Sequence, residues 1–366
     1  MRTLDLRQYA SGRERGLVHG REFAGEITTL VQLRIYLACK ISGFDQAGLT
    51  QVAQAHLPLL QAYDEELYDE VMGIAEGSGC TPADIVILNQ YTDIRDMSPK
   101  ADPEEGLAGE ADYDGGCTIV WSESDGGPVF GQTWDMHASA MPYVLMMRVP
   151  DAAGDDAWLL SLTGCLGMAG LNAAGLSIGI NNLTSTDASP GVVWSAIVRR
   201  AMRETNAEAA KELLLASRTA SGHHYLVCDE NAVFSVETSG TKNRLIFSGG
   251  ARDFVHSNHC LDSEIAGCSR VPAQSTSYDR YDAMLGDLAQ RPIVDVNDLW
   301  TRLGSHEGYP RSICTNMSTP ENPHAAATCA GIAIDIRKRE VLAVAGFTHA
   351  VQPERFVVSN AGGASG

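Results

Sequence analysis

Cys117 stands where the character of this sequence changes. Acidic residues, glycine and proline dominate residues 97–116, whereas alternating apolar and polar residues follow Cys117 directly and predict a β-strand with Ile119 and Trp121 on one face. A thiol at the leading end of a strand, after the flexible Gly116, is placed to attack the peptide bond before it. This pattern supports the hypothesis of cleavage between Gly116 and Cys117. On spacing alone, however, a cysteine that merely begins a buried strand is the more common case.

Cleavage would give Cys117 two reactive groups. A thiol is intrinsically a strong nucleophile, and an α-amine with a pKa near ~8 can accept the thiol proton close to neutral pH. One residue would then be both nucleophile and base. A separate catalytic histidine is not required.

Composition excludes several classes of partner. The 366 residues include 46 acids and 27 Lys+Arg, which gives a formal net charge of −19 and argues against nucleic acid and anionic membranes. The first seven residues lack the apolar core of a signal peptide, and no apolar run has transmembrane length. We therefore expect a cytoplasmic protein.

The nine cysteines are scattered without a CxxC pair, so neither a disulfide framework nor a zinc-finger spacing is predicted. His256, His259 and Cys260 are close in sequence, but no second cluster completes a metal shell. We expect ordinary buried or hydrogen-bonding roles for them, and neither a metal nor a cofactor.

The chain divides into three parts. Residues 1–96 are predicted to be mainly helical, residues 97–116 form an acidic Gly/Pro linker, and residues 117–366 are rich in strands. Apolar spacing predicts one amphipathic helix over residues 19–41, and turn residues predict a hairpin of 117–124 with 129–135 that brings Asp135 back towards Cys117. Further strands and helices downstream, including a helix opened by Ser189 and Pro190, favour helices packed on antiparallel sheets.

Several short stretches, in this order and spacing, resemble one family. They are RGLVHG at 15–20, EVMGIAEGSGC at 70–80, DIVILNQYTD at 84–93, GCT at 116–118, GQTWD at 131–135, GLNAAGL at 170–176, NN at 181–182, HSNH at 256–259 and SIC at 312–314. Together they resemble the acyl-CoA:isopenicillin N acyltransferase-like enzymes, peptidase family C45, of the N-terminal nucleophile (Ntn) hydrolases. The matches span nearly the whole chain.

The resemblance implies an α+β fold, an αββα sandwich of two stacked, mainly antiparallel sheets flanked by helices. It also implies a precursor, or zymogen, that cuts itself between Gly116 and Cys117. Residues 1–96 and the linker 97–116 would then precede a second chain, 117–366, and the two chains would stay associated as one Ntn-hydrolase domain.

The resemblance also assigns roles to single residues. Cys117 would be the nucleophile and new N-terminus, and Asp135 would orient its amine. Asn258 would donate to the oxyanion, and Asn182 matches an oxyanion-site asparagine of the wider superfamily. Amide NH2 groups suit this task because they stabilise developing negative charge without carrying charge themselves.

Two positions depart from the family pattern. Thr315 stands where members often carry an arginine, and Gln132 stands where an arginine is common in the wider superfamily. These two positions therefore do not predict recognition of a substrate carboxylate by charge, unless Arg311 supplies the missing charge.

The expected function is hydrolysis of a small linear amide through an acyl-thioester on Cys117. Acyl-CoA-dependent transfer of an acyl group to an amine is the alternative, with acyl-CoA as a co-substrate. The expected partners are a small-molecule amide or acyl donor and the cleaved N-terminal segment of the chain. Two rival hypotheses are a Cys–His protease that pairs Cys117 with His256 or His259, and an uncleaved binding protein of the same fold.

Overall fold

Two β-sheets form the centre of the structure, a computed structural model that describes residues 1–98, 116–150 and 156–359. The first sheet contains eight strands: β1 (Arg2–Asp5), β4 (Val144–Pro150), β5 (Asp156–Leu162), β6 (Ala169–Asn172), β7 (Ser177–Leu183), β8 (Gly222–Cys228), β9 (Val233–Thr238) and β10 (Asn243–Phe247). The second contains six: β11 (Asp253–His256), β2 (Thr118–Ser124), β3 (Gly127–His137), β12 (Ala326–Asp335), β13 (Glu340–Ala345) and β14 (Glu354–Val357). Strands are given in their spatial order, and β1 with β4 is the one parallel pair among them.

The two sheets pack face to face through β3 and β7. The Gln132 side chain donates to the carbonyl of Ile180 at 3.2 Å and accepts from its N–H at 3.0 Å. Alternation along β2 follows the predicted pattern, since Ile119 and Trp121 lie in the main core while Val120 joins a separate apolar cluster on the outer face. Cys117 belongs to the core side.

Helices cover the outer face of each sheet. They are α1 (Gly12–Glu22), α2 (Ala24–Ser42), α3 (Gln46–Tyr63), α4 (Glu65–Ser78), α5 (Pro82–Asn89), α6 (Tyr91–Asp96), α7 (Trp194–Ala201), α8 (Ala207–Ala216), α9 (Ser263–Ala266), α10 (Ser277–Gln290) and α11 (Val296–Leu303). Leu299 and Leu303 of α11 pack on Gly131 of β3, whereas Ile27 of α2 and Leu88 of α5 pack on the turn at Gly164 that follows β5. The predicted αββα sandwich is therefore confirmed.

Glycine residues bring α1 and α4 into direct backbone contact. A Cβ on Gly16 would lie 2.0 Å from the Glu70 carbonyl oxygen, and one on Gly73 would lie 2.4 Å from the Arg13 carbonyl oxygen. No side chain fits at such distances. Two of the stretches that carry the family resemblance are thus explained by close helix packing.

Some local predictions were wrong. The helix expected over 19–41 is two helices that break at Phe23, whose backbone (φ −119°, ψ 30°) leaves the helical region. Apolar spacing continues across the break, so the pattern could not reveal it. The helix expected to open at Ser189 and Pro190 begins at Trp194 instead. The hairpin of residues 117–124 with 129–135 is present, with its first strand beginning at Thr118 and its second extended to Gly127–His137.

The acidic linker falls almost entirely outside the described residues, because 99–115 lie in the gap between the first two described ranges. The boundaries 1–96, 97–116 and 117–366 remain predictions. Within the described ranges, no single helix has the length and apolar character to cross a membrane, although α4 and α5, bent by 111° at their junction, pass that test as a pair.

Candidate active site

Cys117 precedes β2 directly and lies at the wall of a pocket. The register of the hairpin places Thr118 opposite Thr133, so Trp134 and Asp135 extend along β3 past the start of β2 and flank Cys117. The free volume of the pocket is about 40 Å³. It is lined by Thr92, Gly116, Cys117, Trp134, Asp135, Met136, Ile180, Asn182, Trp194, His223 and Asn258. Each site residue predicted from the sequence therefore lies at this one pocket.

Hydrogen bonds hold Cys117 at both ends of its backbone. Its N–H donates to Oδ1 of Asn258 at 2.8 Å. Its carbonyl oxygen accepts from Nη1 of Arg280 at 2.8 Å and from Nδ2 of Asn181 at 3.0 Å. The position of the Cys117 backbone is thus fixed by three side chains that are distant in sequence.

Three neighbours fix the orientation of the Asn258 amide. Its oxygen accepts from Cys117 N–H and from Nη2 of Arg280 at 2.8 Å, while its nitrogen donates to the carbonyl oxygen of Asn182 at 2.8 Å. The first two groups are obligate donors and the third is an obligate acceptor, so the opposite orientation would break all three bonds. In the continuous chain the NH2 group of Asn258 is directed at Asn182, and its oxyanion role stays a prediction.

Arg280 was missed by the sequence analysis. It lies on α10 with no exposed surface and also donates to the hydroxyls of Thr118 at 2.9 Å and Thr276 at 3.0 Å. Arg280 also explains the glycine before Cys117, because a Cβ on Gly116 would lie 1.9 Å from Nη2 of Arg280 and 2.7 Å from Oδ1 of Asn258. No signal in the sequence marks an arginine on an amphipathic helix as part of a site.

Asp135 is a buried carboxyl group that the Arg280 guanidinium, the Thr328 side chain and the Gly116 backbone stabilise only in part. Among the described residues, neither of its oxygens accepts a hydrogen bond of good geometry. Burial raises the pKa of Asp135 to about 7, against the opposing charge of Arg280. The group is therefore able to gain or lose a proton near neutral pH.

The Cys117 thiol is neutral in the continuous chain. Burial, followed by the nearby charge of Asp135, raises the pKa of the thiol to about 12. The backbone N–H groups of Asp135 and Asn182 and the charge of Arg280 oppose this rise. The thiol thus needs a base before it can attack, and N–H groups already face the sulfur.

Asn181 and Asn182 contribute in different ways. Asn182 presents its backbone to Cys117 and Asn258, and its buried side-chain oxygen has no partner among the described residues. Asn181 directs its side chain at the Cys117 carbonyl, and its oxygen accepts from the Nδ1 atoms of His224 at 2.7 Å and His256 at 3.2 Å. The sequence did not predict that the buried imidazoles of His224 and His256 would bind the Asn181 side chain.

The two histidines of the Cys–His hypothesis have other partners. His256 contacts Glu237 through Nε2 at 2.9 Å and the Ser257 carbonyl through Nδ1 at 2.7 Å. His259 contacts the Ser277 hydroxyl through Nδ1 at 2.8 Å. A third histidine, His223, lines the pocket with Cys117, but its Nε2 is paired with Asp93 at 2.9 Å. These contacts argue against a Cys–His protease.

An apolar cavity of about 30 Å³ adjoins the pocket and shares Thr92, Trp134, Met136 and Trp194 with it. Leu88, Leu162 and Met168 line its far side, and the buried Arg34 guanidinium stacks 4.5 Å from the ring centroid of Tyr91. The apolar lining of this cavity suits a small apolar group attached to the reacting carbonyl.

The positions that depart from the family pattern have structural partners. Gln132 links the two sheets, and the Thr315 hydroxyl donates to the Pro310 carbonyl at 2.5 Å. Arg311 forms an exposed ion pair with Asp279 at 2.6 Å. It is not one of the residues that line the pocket. Among the described residues, three side chains have the spacing of metal ligands: His306, Cys314 and His349. None of them lines the pocket.

The stacked sheets with helices outside them place this chain in the class of α+β enzymes that share the Ntn-hydrolase fold. The profile of the family acyl-coenzyme A:6-aminopenicillanic acid acyl-transferase matches residues 121–337, and the chain belongs to this family. It is therefore an enzyme of the acyltransferase type.

Individual relatives are distant. The chain is 23% identical to the 40 kDa form of acyl-coenzyme A:6-aminopenicillanic-acid-acyltransferase from Emericella nidulans over 304 residues, 82% of this chain and 81% of that protein. Penicillin V acylase from Agrobacterium tumefaciens overlaps 65% of this chain and 84% of its own, at 13% identity and a TM-score of 0.39. A variant of conjugated bile acid hydrolase from Clostridium perfringens overlaps 66% and 97%, at 11% identity and a TM-score of 0.43.

Proposed function

We propose that the chain cleaves itself between Gly116 and Cys117 and then hydrolyses a small linear amide through an acyl-thioester on Cys117. One observation carries this proposal. Cys117 lies in a pocket at the end of a strand, and its peptide nitrogen, the leaving group of the cleavage, is held by Asn258 at 2.8 Å.

Cleavage starts with attack of the Cys117 sulfur on the Gly116 carbonyl carbon. Asp135 accepts the thiol proton, the C–N bond breaks, and the proton passes to the departing nitrogen as a thioester forms. Water then hydrolyses the thioester, which leaves a carboxyl group on Gly116 and restores the Cys117 thiol. The Gly116 position suits this step because its missing Cβ leaves room for Arg280 and Asn258.

In turnover, the α-amine of Cys117 takes the thiol proton and returns it to the leaving amine of the substrate. The backbone N–H groups of Asn182 and Asp135 are candidate donors to the oxyanion, since they already face the sulfur. Loss of one such donor typically costs ~3 kcal/mol of transition-state stabilisation. The carboxyl group of Asp135 orients the α-amine of Cys117.

Buried contacts with residues 117–366 should keep the N-terminal segment bound after cleavage. Glu70 on α4 is buried against Arg199 at 3.1 Å, Asn89 on α5 donates to the Gly164 carbonyl at 2.8 Å, and Asp93 on α6 pairs with His223. Each contact joins residues 1–96 to residues 117–366. We therefore propose two chains that form one domain, as the resemblance implies.

Acyl transfer to an amine is the second candidate function, and the acyltransferase relative from Emericella nidulans favours it. The two reactions differ in whether water or an amine attacks the acyl-enzyme. A small-molecule acyl donor, including an acyl-CoA, would place its acyl group in the apolar cavity in either case.

The test is the intact mass of the denatured protein, beside Cys117→Ala. We expect fragments that end at Gly116 and start at Cys117, absent from the variant. The control Cys165→Ala, at another buried cysteine, should be cut like the wild type. A single uncut chain in the wild type would contradict the proposal.

The cut protein is then assayed with linear amides, and with acyl-CoA donors in the presence and absence of amines. Release of free acid supports hydrolysis, and an amide product that depends on the added amine supports transfer. Ligand binding that survives Cys117→Ala, without turnover of any donor, would favour the binding protein.

A further inference from the structure

We propose that His306, Cys314 and His349 form a binding site for a borderline-soft divalent metal ion such as Zn²⁺. Nε2 of His306 lies 2.6 Å from Nδ1 of His349, and the same Nδ1 lies 3.3 Å from Sγ of Cys314. The three ligand atoms all lie within 4.8 Å of one another. The trio is separate from the Cys117 pocket, whose lining includes none of its members.

Hydrogen bonding within the trio does not satisfy these groups. Nδ1 of His349 has either one proton or one lone pair in the ring plane, yet it faces two partners, His306 and Cys314. It cannot make two well-directed bonds at once. A metal ion bound at the lone pairs of both imidazoles and the thiolate would satisfy all three groups.

The separation of Cys314 Sγ and His349 Nδ1 is close to that of a tetrahedral site. Zn–N bonds of about 2.0–2.1 Å and Zn–S bonds of about 2.3 Å place nitrogen ligands about 3.3 Å apart, and nitrogen and sulfur about 3.6 Å apart. The observed separation of sulfur and nitrogen is 3.3 Å, and the two nitrogens at 2.6 Å need to open by about 0.7 Å. Rotation of the exposed His349 side chain provides this movement.

Backbone contacts hold the three segments together without a metal. The Cys314 N–H donates to the carbonyl of Ser305, the residue before His306, at 3.0 Å. The hydroxyl of Thr348, the residue before His349, donates to the Leu303 carbonyl at 2.8 Å. The site therefore needs little ordering when the ion binds.

The chemistry of the ligands selects the class of ion. One thiolate and two imidazoles suit Zn²⁺ and related transition ions, whereas Mg²⁺ and Ca²⁺ require oxygen ligands. Cys314 is buried and His349 is exposed, so water can occupy a fourth position. Binding releases the thiol proton to solvent, and affinity should therefore rise with pH.

The test is a Co²⁺ titration of the full chain with Cys117→Ala, which removes the other thiol able to bind a metal through a free N-terminus. We expect a thiolate-to-cobalt charge-transfer band and tetrahedral d–d bands that saturate at one equivalent, and Zn²⁺ should abolish them. Adding Cys39→Ser, at a half-buried cysteine, should change nothing.

Cys314→Ser should remove the charge-transfer band. His349→Ala should weaken Co²⁺ binding by more than about 100-fold, since loss of even an outer-shell partner costs 10–100-fold. His349 is exposed, so this variant decides the outcome if Cys314→Ser does not fold. Absence of a charge-transfer band, or a band that persists in both variants, would overturn the proposal. The test does not depend on cleavage or amide turnover.

Discussion

The side-chain oxygen of Asn258 accepts a hydrogen bond from the backbone N–H of Cys117, with 2.8 Å between the heavy atoms. This nitrogen is the leaving group of the proposed cleavage, and it becomes the α-amine of the cut enzyme. The acceptor is therefore in place before the reaction. The same oxygen is bound by Arg280, so the contact belongs to a fixed network.

Asn258→Ala should slow self-cleavage by about 10- to 100-fold, because the leaving nitrogen loses its acceptor as it gains a proton, and a hydrogen bond to a charged group contributes about 1.5–3 kcal/mol. The rate is measured from intact mass over time on freshly purified protein. The exposed Asn297→Ala is the matched control and should be cut at the wild-type rate. Equal cleavage rates for the two variants would contradict the role of Asn258 as the acceptor for the leaving nitrogen.

Asp135→Asn should stabilise the uncut protein at high pH. The pKa of Asp135 is about 7 when folded and has an ordinary value of 3.8, so the folded state retains the proton longer and loses stability as pH rises between these values. In a Cys117→Ala background, we expect Asp135→Asn to raise the free energy of unfolding by up to about 4 kcal/mol at pH 8, and by little at pH 4. Urea unfolding at both pH values measures this, and a gain that is independent of pH would refute it.

Arg280→Lys should reduce the rates of cleavage and turnover by about 100-fold. Lysine keeps the charge, but a single ammonium group cannot reproduce the fork that binds the Cys117 carbonyl and Asn258 together. Arg291→Lys, at an exposed ion pair with Asp287, is the control and should leave both rates unchanged. Wild-type rates in Arg280→Lys would show that the charge alone is sufficient.

Glu70→Gln should destabilise the Cys117→Ala protein by about 3–5 kcal/mol, because it leaves Arg199 buried without its carboxylate, whereas Arg15 keeps its ion pair with Glu66. Urea unfolding gives the value. In contrast, Glu76→Gln removes the partner of Arg13 at an exposed ion pair, and should cost less than about 1 kcal/mol. Similar losses in the two variants would contradict the structural role of the buried cluster.

Gly16→Ala should lower the thermal midpoint, although alanine is the better helix former by up to about 1 kcal/mol. The new Cβ would lie 2.0 Å from the Glu70 carbonyl oxygen and force α1 and α4 apart. Gly286→Ala, in α10 with no atom within 4 Å of the new Cβ, should instead raise the midpoint. A higher thermal midpoint in both variants would show that α1 and α4 can move apart without a loss of stability.

The sequence by itself determined the features that depend on near neighbours. Alternation after Cys117 and the turn before Val129 were sufficient to predict the β2–β3 hairpin, and the hairpin brings Asp135 to Cys117. The spacing of apolar residues and the residue types of turns depend on only a few neighbouring positions, so both can be recognised in the sequence. The αββα fold and the set of pocket residues came from the family resemblance.

Tertiary structure alone decided how these groups are used. Arg280 binds a carbonyl 163 residues away, and Asn181, not Asn182, directs its side chain at Cys117. His306 and His349 meet although 43 residues separate them. Such contacts arise when two sheets and their helices pack together, and burial then sets the pKa of Asp135 near 7. No local pattern records these distances, because they depend on the packing of the whole domain.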